Sequence, residues 1–366
     1  MPLDETLVRD AVEAVIEPEL HRPLGELGLV GALHVHGDEV HVAVGLLTDD
    51  HPSPGELEGR VAEALAGVEG VRGVRVELRV LSDDERGELV DRLMPERRMP
   101  FSDPASKTRV LLVSSGKGGV GKSSVTVNLA LALARRGRHV AVVDADVWGF
   151  SIPAMLGIEH PPTLVDNRMI LPPSAYGVTL ASIGFFVRDD QPVVWRGPML
   201  HKALEQFLTD FWWGDPDYLV VDLPPGTGDI SLSLAQFLPH SEAYVVTTPQ
   251  PAAQRVAQRA GLMFQSANIR IPVRGVIENM SWFTGDDGTR YELFGAGGGE
   301  ELAKKLDVPL IGQVPLVPQL REGGDTGRPI VALDPEHEAS QAFAEIAEWV
   351  DTHRPSRRRN AALKIG

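Results

Sequence analysis

Two patterns of apolar and polar positions divide the chain. Up to residue 94, "TLVRDAVEAVI" sets Leu7, Val8, Ala11, Val12 and Val15 on one face of a helix. "ALHVHGDEVHVAVGLL" then alternates apolar and polar residues about Gly37-Asp38, as a hairpin does. "GELEGRVAEALAGV" predicts another helix and "VRGVRVELRVL" another strand, so residues 1–94 read as a small α/β domain. Proline, charge and small residues crowd "MPERRMPFSDPASK", which predicts a linker over 95–106. From Val110 the apolar runs are too continuous to have a wet face: "RVLLVSS", "HVAVVDAD", "YLVVDL", "AYVVTT", "PVRGVIEN" and "PLIGQV", with helical segments between them. Strands of that kind alternating with helices predict an α/β domain over 107–352, its mostly parallel sheet flanked by helices. The end of the chain, 353–366, is basic and unpatterned, and predicts a disordered tail.

Charge and cysteine count narrow the chemistry. Lys and Arg number 35 against 51 Asp and Glu, a net charge of −16, which repels a phosphate backbone and argues against nucleic-acid binding. The chain has no cysteine, which removes disulfides, thiolate metal sites and cysteine-ligated clusters from what it does alone. No apolar run approaches the about 18 residues of a membrane span, and the acidic start has no signal pattern. A soluble, cytoplasmic protein without stable membrane association is the expectation.

"SGKGGVGKSS" lies between a buried strand and a helix, and Gly116 to Ser123 fits G-x-x-x-x-G-K-[ST]. Gly116, Lys117, Gly118, Gly119, Val120 and Gly121 would turn backbone N–H groups onto phosphate oxygens at a helix N-terminus, with Ser124 just inside it. Lys122 would hold the β- and γ-phosphates of ATP, and the Ser123 hydroxyl would ligate Mg2+. Asp144 and Asp146 end one strand and Asp222 another, where carboxylates meet the phosphates and the magnesium ion. Gly226, in the loop after Asp222, is suited to sense a γ-phosphate. Lys117 is one lysine more than a single cradle uses.

These residues resemble a family. "GKGGVGKS" is similar to the deviant phosphate loop of MinD/ParA-like ATPases. "DADVWGFSIPAMLG", "WRGPMLHKALEQFL", "DYLVVDLPPGTGD", "TTPQPAA", "GVIENMS", "FGAGGGEELA" and "LIGQVPLVPQLREGGDTGRPIV" together look like the Mrp family within that group, in order from about Lys107 to Ala347. "EPELHRPLGELGLV" resembles the small iron–sulfur-assembly domain often fused in front. The resemblance implies a homodimeric ATPase that carries iron–sulfur clusters to client proteins. It implies that Lys117 reaches the partner subunit's nucleotide, that Asp144 and Asp146 bear on the attacking water and magnesium, and that Asn279 and Pro315 hold the adenine.

The pattern departs from the family at its metal ligands. Many Mrp proteins carry C-x-x-C after the asparagine, where this chain has "MSWFTGDDGTRYELFG"; the small domain usually carries a cysteine, where this chain has "LLTDDHPSPGE". Clusters depend on soft sulfur donors, so the family function comes without its ligands. His34, His36 and His41 alternate with apolar residues and read as the wet side of the hairpin; His51 reads as plain surface. Phe207, Phe211, Trp212 and Trp213 read as core or dimer surface, and "GAGGGEE" as a turn opening a helix. Two rival functions remain: a nucleotide-switched scaffold whose partners hold the iron, and a ParA- or MinD-like positioning ATPase.

Overall fold

The continuous apolar runs of the second half line up in one eight-stranded sheet, because strands buried on both faces are stable only between two helical layers. The computed structural model describes residues 3–49, 51, 53–94, 99–147, 149–187 and 197–354, and the chain falls into two units. The tail beyond Arg354 and most of the charged part of the linker, 95–98, lie outside the described residues.

The first unit holds residues 1–103 together with 160–174 and 202–215, two segments from within the stretch that the apolar pattern assigns to the larger domain. It comprises α1 (Glu5–Glu13), α2 (Leu24–Leu27), β1 (Val30–His36), β2 (Glu39–Leu46), α3 (Pro54–Ala66), β3 (Gly73–Val80) and α4 (Asp83–Leu93). β1 and β2 are antiparallel and β3 runs parallel to β2. Val8 and Val12 carry α1 into the core, whereas Leu7 is 59% exposed: the buried stripe is narrower than its apolar spacing suggests. α4 was not anticipated, although Ser82 and Glu85 form a complete capping box in front of it.

The short hairpin β6 (Thr163–Val165) and β7 (Met169–Leu171) joins this core through Val165, Met169 and Leu171. Ile170 exchanges backbone hydrogen bonds with Asp210 and Trp212, just past α7 (Gly197–Thr209). Phe207, Phe211 and Trp213 are buried there, so the aromatic cluster is core. His34 faces His41 across the hairpin on the exposed side. His51 is not surface: it is 6% exposed, its Nε2–H donates to Glu17 Oε1 at 2.9 Å, and its Nδ1 accepts from the Ser53 N–H at 3.1 Å. Glu17 in turn accepts the backbone N–H groups of Glu19 and Leu20. A carboxylate 34 residues away in sequence is the partner that local pattern does not reveal.

The second unit contains the large sheet: β4 (Arg109–Ser115), β5 (Val140–Asp144), β8 (Ser174–Ala175), β9 (Val178–Ser182), β10 (Tyr218–Asp222), β11 (Glu242–Thr247), β12 (Val273–Asn279) and β15 (Leu310–Val314). Their order is β15-β12-β11-β4-β10-β5-β9-β8, and every pairing from β15 to β9 is parallel. Around the sheet lie α5 (Lys122–Arg135), α6 (Ile152–Met155), α8 (Asp229–Phe237), α9 (Pro251–Gln265), α10 (Gly298–Leu306), α11 (Pro318–Asp325), α12 (Ile330–Leu333) and α13 (Glu338–Thr352). The small hairpin β13 (Phe283–Thr284) and β14 (Arg290–Tyr291) stands where the family's cysteine pair is expected. No helix among the described residues is long and apolar enough to cross a membrane.

Charged side chains close the amino-terminal end of this sheet. Arg109 pairs with Glu242 at 2.5 Å, and Asp351 of α13 takes the Tyr218 hydroxyl at 2.8 Å and Arg138 at 2.7 Å. Burial pushes the Glu242 carboxyl up, against the pull of Arg109. With α13 fastened at that end, the carboxyl ends of β4, β5 and β10 are left for the site.

Candidate nucleotide site

Parallel register brings the acidic residues level. Asp222 sits beside Asp144 across β10 and β5, and beside Val113 of β4, two residues before the strand ends at the glycine loop. β4 lies between β10 and β11, so the loop opens at the crevice where strand order reverses.

Two glycines are set by close contact. A Cβ on Gly116 would lie 2.1 Å from the Ala257 nitrogen of α9. Gly121, the N-cap of α5 at φ 77°, would place one 2.2 Å from Asn279 Nδ2. Gly118 and Gly119 meet nothing within 4 Å of where a Cβ would stand, so their open side faces away from the protein, as a cradle requires. The buried Val120 carbonyl accepts from Asn279 Nδ2 at 2.9 Å. Asn279 therefore braces the loop, while its buried Oδ1 has no hydrogen-bond partner among the described residues. Pro315 is buried one residue beyond Val314, which faces Asn279 across β12 and β15. Both residues expected at the adenine thus share one rim of the sheet.

The charged centre is built on Asp222, which is completely buried. Its Oδ2 accepts from Lys122 Nζ and from Ser123 Oγ, each at 2.6 Å, and its Oδ1 accepts from Thr126 Oγ1 at 2.6 Å. Lys122 is 6% exposed and lies 3.6 Å from Asp146 Oδ2 as well. Asp144 is enclosed more deeply: Oδ1 accepts the Asp146 N–H at 3.2 Å, and Oδ2 accepts the Ile152 N–H and the Ser182 hydroxyl. Burial, reinforced by the neighbouring Asp222 carboxylate, pushes the Asp144 carboxyl up to about 7, against the pull of Lys122. Asp144 thus holds the Asp146 backbone in place.

Ser123 and Asp222 supply hard oxygen donors side by side, the kind a magnesium ion takes with phosphate oxygens. Ser124 contributes its carbonyl to Asn128 Nδ2. The Gly226 N–H donates to the Ser115 carbonyl at 2.9 Å, so the group expected to sense a γ-phosphate is engaged with the strand end. Lys117 is half-buried, with Nζ 3.3 Å from Gln250 Oε1. Among the described residues, no group of three or more His, Asp or Glu is arranged to hold a metal ion. "GAGGGEE" opens α10 as a turn, with Gly297 as N-cap, and Glu278 accepts the Gly299 N–H at 2.5 Å. His201 is 3.0 Å from Ser233 Oγ and packs on Phe237.

Sequence reasoning missed Thr126, Ser182 and Gln250. Thr126 was within reach, since i+4 from Lys122 puts it on the same helix face. Thr126→Val is expected to leave a buried oxygen of Asp222 unpaired and to weaken magnesium-dependent nucleotide binding roughly tenfold. Thr126→Ser keeps the hydroxyl and restores it; a fluorescent-nucleotide titration with and without Mg2+ checks this. A second expectation concerns pH. The raised Asp144 carboxyl gives stability that is fully present below its ordinary value near 4 and is lost as pH rises through about 7. Nucleotide-free protein should lose thermal stability between pH 5 and 8 relative to Asp144→Asn, which removes the ionisation; parallel melting curves across that range decide it.

Comparison with known proteins identifies the family. The family model for the NUBPL iron-transfer P-loop NTPase matches residues 106–351, and that for an iron–sulfur cluster assembly protein matches 5–78. The iron–sulfur cluster carrier protein of Mycobacterium tuberculosis is 49% identical over 357 residues, 95% of this chain and 93% of that protein. The protein of the same name from Deinococcus radiodurans is 43% identical, covering 94% of each. The solved structure of an Archaeoglobus fulgidus nucleotide-binding protein in complex with ADP is 32% identical, covers 72% of this chain and 97% of its own, and superposes with a TM-score of 0.56. With a phosphate loop, a fold and a full-length likeness in agreement, the chain belongs to the iron–sulfur cluster carrier family of P-loop NTPases.

Proposed function

We propose that the protein is a magnesium-dependent ATPase that acts as a homodimer in the cytoplasm and serves iron–sulfur cluster assembly. The observation that carries this reading is the division between the two lysines. Lys122 is buried against Asp222 and Asp146 of its own chain, whereas Lys117 is half-buried and meets the Gln250 amide. On ATP binding, Lys122 would leave Asp222 for the β- and γ-phosphates. Ser123 and Asp222 would hold magnesium, whose charge offsets that of the phosphates. Asp146 would orient the water that attacks the γ-phosphorus, and Asn279 and Pro315 would border the adenine. Lys117 would complete the partner subunit's site, placing positive charge where it develops in the transition state. The related Archaeoglobus protein, solved with ADP, supports the nucleotide part of this reading.

The absence of cysteine favours a second reading of the cargo step, in which the protein is a nucleotide-switched scaffold and its partners supply the thiolates. Lys117→Ala should keep nucleotide affinity within about threefold yet lower turnover by 10³-fold or more, the scale of a lost transition-state cation. Wild-type turnover in that variant would refute the role of Lys117, and absence of ATP hydrolysis in the wild type would refute the ATPase. Anaerobic reconstitution with iron and sulfide separates the two cargo readings: the scaffold binds neither stoichiometrically, whereas a carrier with unrecognised ligands retains both after desalting.

A further inference from the structure

Lys117 stands in an acidic protein without an acidic partner among the described residues. The chain carries 51 carboxylate side chains, and Lys122, five residues on, engages two of them. Among the described residues Lys117 forms no ion pair; its ammonium is held by the neutral amide oxygen of Gln250 at 3.3 Å. The backbone on both sides of this contact is fixed. Gln250 is the N-cap of α9 and is followed by Pro251, which sets the first helical residue. Gly116 lies so tightly on Val256 and Ala257 of the same helix that a Cβ would not fit. The Lys117 carbonyl is tied back to Ser115 Oγ at 3.1 Å. Loop and helix therefore cannot drift apart, and the side chain at 250 decides what the ammonium meets.

We propose that Gln250 is a positioning residue for Lys117: it holds the ammonium in place without cancelling its charge, so that the lysine can be handed to a phosphate. This rests on the ATPase reading above. A carboxylate at 250 would hold Lys117 more tightly and neutralise it, and release would then break an ion pair. An apolar residue would leave a long, mobile side chain to be ordered anew at every turnover. A neutral acceptor supplies the order and keeps the release inexpensive.

Gln250→Glu is isosteric and isolates the charge, and two measurements on the full-length protein test it. The first is the rate of amine acylation at Lys117 in the nucleotide-free protein, followed by mass spectrometry with the exposed Lys304 as the internal reference. It should fall about threefold in Gln250→Glu and rise in Gln250→Ala, and equal rates in all three proteins overturn the contact. The second is ATP turnover. In Gln250→Glu it should fall about two- to fivefold at low salt, with unchanged nucleotide affinity, and recover towards wild type at about 0.5 M KCl, as a partly exposed ion pair does. A deficit that persists in high salt, or turnover equal to wild type at low salt, overturns the positioning role. A wild-type protein without turnover leaves the acylation result to decide the contact, and refutes the ATPase reading separately.

Discussion

A lysine ammonium and an aspartate carboxylate, both withdrawn from water and 2.6 Å apart, set the conditions for everything around them. Neither ion is tolerable there alone, since an unpaired buried charge costs several kcal/mol. β4 and β10 must therefore be neighbours in a register that places Asp222 beneath the loop, and α5 must start where Lys122 can reach it. Ser123 and Thr126 donate to the same carboxylate, so three side chains from one helix turn converge on one strand end. The cluster is acidic, with Asp144, Asp146 and Asp222 gathered about one buried lysine. That surplus is what a magnesium ion or a change of proton occupancy at Asp144 relieves.

Much of this was legible in the chain. Continuous apolar runs predict buried parallel strands because no other arrangement hides both faces, and β4, β5, β10, β11 and β12 follow that pattern, whereas β15 at the sheet edge leaves Gln313 exposed. The loop itself was legible because few backbones cradle phosphate, and its glycines are dictated by contacts as close as that of Gly116 with Ala257. What escaped depended on distant partners. His51 looks like a loop residue until Glu17 is brought beside it from 34 positions away. Ser182 closes over Asp144 from β9, whose VTLAS mixes hydroxyl and apolar residues and so does not stand out as the other strands do. Residues 160–174 and 202–215 joined the core of the first unit, which no local periodicity announces. Leu7 erred the other way: its spacing fits the helix face, but the face is only two valines wide.

The small unit shows how the departure from the family's cysteines is resolved. His51 stands in the segment where relatives are expected to carry a thiol, yet both its ring nitrogens are engaged, one with Glu17 and one with the Ser53 backbone. An imidazole held in that way closes a loop; it offers no lone pair to iron. At the other expected position a two-stranded hairpin replaces the ligand pair, with Arg290 stacked 4.4 Å over Trp282. Contacts that build structure occupy the positions associated with metal chemistry in the family.

Helix α10 adds a consequence for stoichiometry. It opens on glycines, as α5 does, and so presents a second set of inward-turned N–H groups to any anion. Glu278 reaches into that position and accepts from Gly299, while Gln313 holds its other oxygen at 2.8 Å. A carboxylate attached to the chain is present at an effective concentration that free phosphate does not match. One glycine-opened helix is thus occupied by the protein's own carboxylate and is closed to a free anion.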